Sequence, residues 1–186
     1  PIPMWKDYGV KNLEFNTSED GNGNIVLSAR LPYNCQYTPV INLTDKGEGT
    51  FVRIETDHTL LPFNTQCLYA EYITRNGYQE YESLGWLNGH NLYVIYPKDA
   101  DITLHSLSFR ETGYDCEFEG SFTSSDDFLN RYWKKAVRTL YVNMRDNYFD
   151  CPDRERAQWW GDVTHLLGQS FYQLSPAANA LARKAI

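Results

Sequence analysis

Polar and apolar residues alternate in short runs over the first two thirds of the chain, and the period changes near residue 122. The runs "NLEFNT", "NIVLSARL", "TFVRIETD", "QCLYAEYIT", "NLYVIYP", "ITLHSLSFRE" and "YDCEFEGSF" have the two-residue period of half-buried strands. In "CLYAEYI", Cys67, Tyr69, Glu71 and Ile73 share one face, and Leu68, Ala70 and Tyr72 share the other. Turn chemistry separates the runs. "EDGNGN" (residues 19–24) suits a hairpin because Asn-Gly and Asp-Gly tolerate positive φ, and "TDKGEGT" and "RNGY" mark further turns. Seven or more closely spaced strands predict an antiparallel β-sandwich.

After residue 122 the apolar positions are Phe128, Leu129, Tyr132, Trp133, Ala136, Val137, Leu140, Tyr141 and Met144. They form two rows at i, i+4 spacing, which predicts a long helix with one broad buried stripe. Ser124 or Ser125 is expected to cap it, and Asp126 and Asp127 suit the positive end of its dipole. Pro152 keeps Cys151 out of helical geometry, so a loop follows. A second helix is expected to resume by Asp162, and a third to start at Ser175 with Pro176 in its first turn. The fold class is thus mainly β with a C-terminal helical part, divided into residues 1–121 and 122–186. A helix, a loop and another helix close no core of their own. The stripe must meet either the sandwich or further helices, and further helices are favoured.

Composition narrows the partners. Net charge is −7 and no Lys/Arg cluster exists, so a nucleic-acid partner is not expected. No run of about 18 apolar residues exists to span a membrane. Aromatics make up 15 % of the 186 residues, which serves either buried anchors or flat platforms for sugars. The chain starts at Pro1 and stops on a helical pattern, as a piece of something longer would. Cys35, Cys67, Cys116 and Cys151 have neither disulfide-scaffold nor zinc spacing and read as buried free thiols. His58, His90, His105 and His165 are scattered and read as surface or satisfied core. Only His165, three residues after Asp162, is placed to join a site. No metal and no organic cofactor is expected.

The segment "DNYFDCPDRERAQWWGDV" departs from this order. It crowds Asp146, Asp150, Asp153, Glu155 and Asp162 together with Arg154, Arg156, Trp159 and Trp160. A structural segment separates such residues, whereas a sugar subsite needs acceptors and a stacking face within one ring's width. Taken singly, each carboxylate fits an arginine pair, Asp162 fits a helix cap, and each tryptophan fits a core. An EF-hand calcium loop does not fit, because alternate acids and a mid-loop glycine are missing.

Taken whole, "DCPDRERAQWWGD" resembles the signature of the inverting α-L-rhamnosidase family of glycoside hydrolases, roughly D-C-P-x-R-D-E-R-x-x-W-x-G-D. Asp150, Cys151, Pro152 and Arg154 match its first half, and Glu155, Arg156, Trp159, Gly161 and Asp162 its second. "GSFTSSDDFLNRYWKKA" is similar to that family's first barrel helix. "QCLYAEYITRNGYQEY" and "ESLGWLNGHNLYVIYP" are similar to the sandwich packed against its barrel. Two departures stand out: Arg154 directly precedes Glu155 where the family has an additional Asp, and Gln158 stands where a Gly is usual.

The resemblance implies a β-sandwich followed by the first helices of an (α/α)6 barrel. It implies Glu155 as general acid, with Asp150, Arg154, Asp162, Trp159 and Trp160 binding substrate. The partners implied are a glycan or oligosaccharide and the remainder of the chain's own catalytic domain. The general base would lie on a later part of that barrel, so the chain by itself would be inactive. A periplasmic or secreted setting is consistent with the acidic, aromatic-rich composition. Two other readings stay open: a non-catalytic carbohydrate-binding or spacer module with docked helices, and a catalytically dead relative.

Overall fold

The computed structural model describes residues 4–58 and 68–186. The mainly antiparallel β architecture followed by helices is present. Eight strands come first: β1 (Trp5–Leu13), β2 (Phe15–Glu19), β3 (Asn24–Asp45), β4 (Phe51–Thr56), β5 (Tyr69–Ile73), β6 (Gly77–Glu82), β7 (Leu87–Pro97) and β8 (Ile102–Tyr114). Three helices follow, α1 (Asp127–Val142), α2 (Trp160–Gln173) and α3 (Pro176–Ala182). The described residues divide into two compact units, residues 4–7 with Thr112–Ile186, and Tyr8–Glu111. Among the described residues no helix is long and apolar enough to cross a membrane.

The β unit is organised by the 22-residue strand β3. Its first part pairs with β2 and β7, and its second part with β8 and β6, all antiparallel. Leu27, Ala29 and Leu31, then Cys35, Tyr37, Ile41 and Leu43, point inward from it. Val52 and Ile54 of β4, Leu92 and Val94 of β7, and Leu107 and Phe109 of β8 complete this core. Between the two stretches the β3·β7 register breaks. Arg30 pairs with Asn91 and Cys35 with Gly89, so residues 31–34 bulge opposite His90 alone.

The predicted turns hold. In residues 19–24 the Asp20 carboxylate accepts from the Asn22 and Asn24 amides at 2.8 and 2.9 Å, with Gly23 at φ +85°. β1 and β6 lack a clean alternation in sequence. The predicted strand "QCLYAEYIT" appears as β5, with Gln66 and Cys67 outside the described residues. "YDCEFEGSF" forms no strand beyond Tyr114. It runs beside the α2–α3 junction instead, where the Gly120 amide donates to Gln173 O (3.1 Å) and the Ser175 amide to Glu117 O (2.9 Å).

In the helical unit, α1 is capped by Asp126, which accepts from the Phe128 amide at 2.8 Å; Ser124 instead accepts from the Asp126 amide. The expected buried stripe is half realised. Leu140, Tyr141, Val142 and Met144 are buried, while Phe128, Leu129 and Tyr132 are exposed, because no described segment of this unit covers the first turns of α1. Phe128 there stacks on Tyr132 (centroids 6.2 Å apart) and Phe122 on Trp133 (5.8 Å). The core lies at the other end, around Tyr114, Leu140, Met144, Tyr148, Val163 and Leu166. Ser175 caps α3 with Pro176 at its start, as the sequence predicts. Cys35 is buried and Cys116 and Cys151 are half-buried; all three are free thiols, and Cys67 lies outside the described residues.

Candidate functional site

Helix α1 ends at Val142, and the chain turns back within a few residues. The Asn143 amide donates to Thr139 O (3.2 Å) and Leu140 O (3.1 Å), the Arg145 amide to Asn147 O (2.9 Å), and the Phe149 amide to Asn143 O (2.7 Å). Met144 and Tyr148 form a β-bridge with both side chains in the core. This buried turn fixes where Asp150 emerges. Guanidinium and indole meet behind it: Arg145, itself buried, lies 3.8 Å above the Trp5 ring and donates to Thr112 Oγ1 at 3.1 Å. Burial lowers its pKa to about 10, against the opposing charge of Asp146.

From Asp150 the loop closes on itself. The Asp150 amide donates to Ala157 O (2.9 Å), and the Ala157 amide returns a bond to Asp150 Oδ1 (3.0 Å). Six residues, 151–156, are thus pinched off between two anchors. Arg156 adopts φ +50°, a left-handed conformation uncommon for a side chain of its size, and its Nε donates back across the loop to Pro152 O at 3.0 Å. Burial lowers Arg156 to about 10, with the Asp153 and Cys151 charges acting the other way.

The loop brings Asp150, Arg154 and Glu155 together. Burial works to raise the Asp150 carboxyl, but bonds from the Ala157 amide, the Cys151 thiol and amide, and the Glu155 side chain outweigh it. The carboxyl therefore sits below its ordinary 3.8. Glu155 pairs with neighbouring Arg154, their side chains 34 % and 61 % exposed. Trp159 and Trp160 follow at once, 55 % and 63 % exposed rather than in the core. Trp159 occupies the cap position of α2 and Trp160 its first residue, so the helix starts two residues before Asp162. Asp162 is exposed in the first helical turn, where its charge suits the positive end of the dipole. His165 is exposed one residue beyond Val163 and Thr164 on the same helix. Gln158 accepts from Asn147 Nδ2 at 3.4 Å.

Two features escaped the sequence. Ala157 anchors the loop through its backbone alone, which no residue type announces. Cys151 adds to what holds the Asp150 carboxyl low, an effect that the adjacency of the two residues could have suggested. Separately, α1 and α2 line an apolar groove of about 360 Å³, formed by Phe122, Leu129, Tyr132, Trp133 and Tyr172 among others.

Residues 117–183, a span that includes this loop, match the family model described as the bacterial alpha-L-rhamnosidase 6 hairpin glycosidase domain. No curated protein sequence matches the chain. Among solved structures it resembles the GH78 family rhamnosidase of Bacillus sp. GL1 (22 % identity, TM-score 0.75, 92 % of this chain and 18 % of that one). It also resembles the alpha-L-rhamnosidase from Dictyoglumus thermophilum (17 %, 0.73, 97 % and 21 %). A third is the rhamnosidase from Klebsiella oxytoca with rhamnose bound (12 %, 0.76, 100 % and 44 %). At these identities the likeness is one of fold, and the chain spans less than half the length of each structure. The family likeness thus rests on residues 117–183, and the solved structures share the fold.

Proposed function

We propose that this chain is the segment of an inverting, α-L-rhamnosidase-like glycoside hydrolase that carries the general-acid loop, with residues 122–186 opening the catalytic domain. Glu155 is the acid that protonates the departing glycosidic oxygen. Asp150, Arg154 and Asp162 hold sugar hydroxyls, and Trp159 and Trp160 offer the ring a flat face.

The observation that supports this reading is the loop closed by the two Asp150–Ala157 bonds, which gathers Asp150, the Arg154–Glu155 pair and the exposed Trp159 and Trp160 within one short stretch. Asp150 is held below its ordinary value by the bonds that it accepts in this loop, which suits a carboxylate that takes hydrogen bonds from sugar hydroxyls. In an inverting enzyme the acid and base stand about 6.5–9.5 Å apart to admit water, and Asp150, already anchored by the Ala157 amide, serves as a substrate contact rather than as that base. The base belongs to the remainder of the catalytic domain, where it activates a water on the opposite face of the sugar.

The ion pair of Arg154 with Glu155 favours the second reading, a binding or spacer module whose carboxylate is already engaged. An exposed pair of this kind contributes about 0–1 kcal/mol. A substrate hydroxyl can displace it, and Arg154 then becomes a substrate contact.

Hydrolysis of an aryl α-L-rhamnoside separates the two readings. The assay uses the 186-residue chain and the chain joined to the rest of a six-hairpin domain, each with and without Glu155→Gln. Activity is expected only in the joined form, with Glu155→Gln lowering it about 10²–10⁴-fold. The first-formed rhamnose should have inverted anomeric configuration. Undiminished hydrolysis by Glu155→Gln would refute the acid assignment, and rhamnose binding without any hydrolysis would establish the binding-module reading.

A further inference from the structure

The β unit sets Asp57, His58 and His90 side by side, although no spacing in the sequence joins them. Asp57 and His58 follow directly on β4, and His90 lies near the start of β7. One ligand atom from each lies within 4.8 Å of the other two. We propose that these three side chains bind a divalent transition metal of the zinc class, in a site independent of the carboxylate loop.

The Asp57 carboxylate is held in place from one side. Its Oδ1 accepts the His90 and Asn91 amides at 2.8 and 3.0 Å, and its Oδ2 accepts Asn91 Nδ2 at 2.8 Å. A carboxylate has about four lone-pair positions, and the described residues take three of them.

Room for the carboxylate comes from Gly89. At φ +155° a Cβ there would stand 2.8 Å from Asp57 Oδ1 and 2.9 Å from Thr56 Cβ, so a side chain at this position would expel the carboxylate. The Gly89 amide is tied to Asn34 Oδ1 at 3.1 Å, within the β3 bulge that faces His90. Bulges of this kind re-aim side chains beside functional sites.

Asn88 is the group that sets the His58 ring. It is 1 % exposed; its Nδ2 lies 3.0 Å from His58 Nδ1, and its buried Oδ1 has no hydrogen-bond partner among the described residues. Turning the amide over places Oδ1 against an Nδ1–H of His58. The imidazole then carries its proton on Nδ1, the tautomer in which Nε2 is the ligating nitrogen. Metal-bound histidines are oriented in this way, by a buried acceptor on the other ring nitrogen.

The His58 and His90 rings are tilted at 51° with centroids 6.3 Å apart, so they converge rather than stack. Zinc bonds of about 2.0–2.2 Å bring tetrahedral ligands to roughly 3.4 Å from one another. The exposed His90 ring is the ligand with room to turn and reach that spacing. Two imidazoles and one carboxylate suit Zn²⁺, Co²⁺ or Ni²⁺; Mg²⁺ and Ca²⁺ require a shell of oxygens. Three protein ligands leave the fourth position to water, and the metal fastens the end of β4 to the start of β7.

Calorimetric titration of the chelator-treated chain with ZnCl2 tests the site. One equivalent is expected to bind, unaffected by excess MgCl2. His90→Ala and His58→Ala should weaken binding at least tenfold, Gly89→Ala should weaken it too, and His105→Ala should leave it unchanged. Co²⁺ should give the visible absorption of a tetrahedral site in the chain and not in His90→Ala. Free Zn²⁺ at a hundredfold excess over Kd should favour the folded state about 100-fold, read as a rise in Tm. Zn²⁺ affinity equal in the chain and in His90→Ala, or lost equally in His105→Ala, would overturn the proposal. His90 is exposed, so that variant tests binding without threatening the fold. None of these residues belongs to the 150–162 loop, so the outcome is separate from the glycosidase reading.

Discussion

Gly120→Ala should unfold the helical unit at markedly lower denaturant. Gly120 lies flat against the end of α2, and a Cβ there would stand 1.8 Å from Tyr172 O and 2.8 Å from Gln173 Cα. Both are backbone atoms, so no side-chain rotation relieves the clash, and the extended segment must move off by more than an ångström. That movement breaks the bonds of the Gly120 amide to Gln173 O and of the Ser175 amide to Glu117 O. At about 0.5–1.5 kcal/mol each, with some loosening of the adjoining core, the loss comes to about 2–4 kcal/mol.

The control is Gly168→Ala in the interior of α2, where a Cβ meets nothing within 4 Å. Replacing a helical glycine by alanine there should stabilise by about 0.5–1 kcal/mol. Urea unfolding followed by tryptophan emission reads the right unit, since Trp5, Trp133, Trp159 and Trp160 lie in it and Trp86 alone in the other. With a slope of about 1–3 kcal/mol per molar urea, Gly120→Ala should lower the midpoint by about 1–2 M and Gly168→Ala should raise it. A Gly120→Ala midpoint within about 0.3 M of the parent, or an equal loss in both variants, would refute the steric reasoning.

The Asp150 carboxyl should titrate below 3.8, visible in the shift of the Ala157 amide resonance that it accepts. A depressed carboxyl contributes stability that is complete above the ordinary value and lost as pH falls through the folded one, so the loop should loosen only in that acid range. A midpoint above 3.8, or one unchanged in Asp150→Asn, would contradict this. Burial, with the Asp115 and Glu117 charges, pushes the Cys116 thiol up to about 12. Iodoacetamide at pH 8 should therefore leave Cys116 unmodified in the folded chain and label it fully in urea; rapid native labelling would show that the thiol is not protected as described.

The sequence was most legible where one physical rule governed. The hairpin of residues 19–24 follows from Asn-Gly and Asp-Gly chemistry, and α3 follows from Ser175 and Pro176. It misled where alternation had no strand partner: Cys116 and Phe118 alternate well, yet their segment bonds to a helix junction. The cap of α1 went to Asp126 because Ser124 was already engaged by the Asp126 amide. The stripe on α1 was read correctly as apolar, but periodicity cannot tell which part of a stripe is covered, and Phe128 and Tyr132 are not. In the loop, the crowding of charge and indole rings was visible, whereas the closure at Ala157 depends on backbone atoms. His58 and His90 carry no joint signal in the sequence, because only the β4·β7 pairing brings them together.

The long strand β3 restricts where this chain can change length. Because it serves β2 and β7 at one end and β6 and β8 at the other, a single inserted residue would put part of it out of step with two partners at once. The same shift would turn Leu27, Ala29 and Leu31, or Ile41 and Leu43, away from the core. Insertions and deletions are therefore confined to the turns, such as residues 19–24 and 45–50, and to residues 31–34, where the register is already broken. Relatives that diverge in loop length at those places would keep the core of this unit intact, and the irregular stretch opposite His90 is where divergence of that kind could build new chemistry.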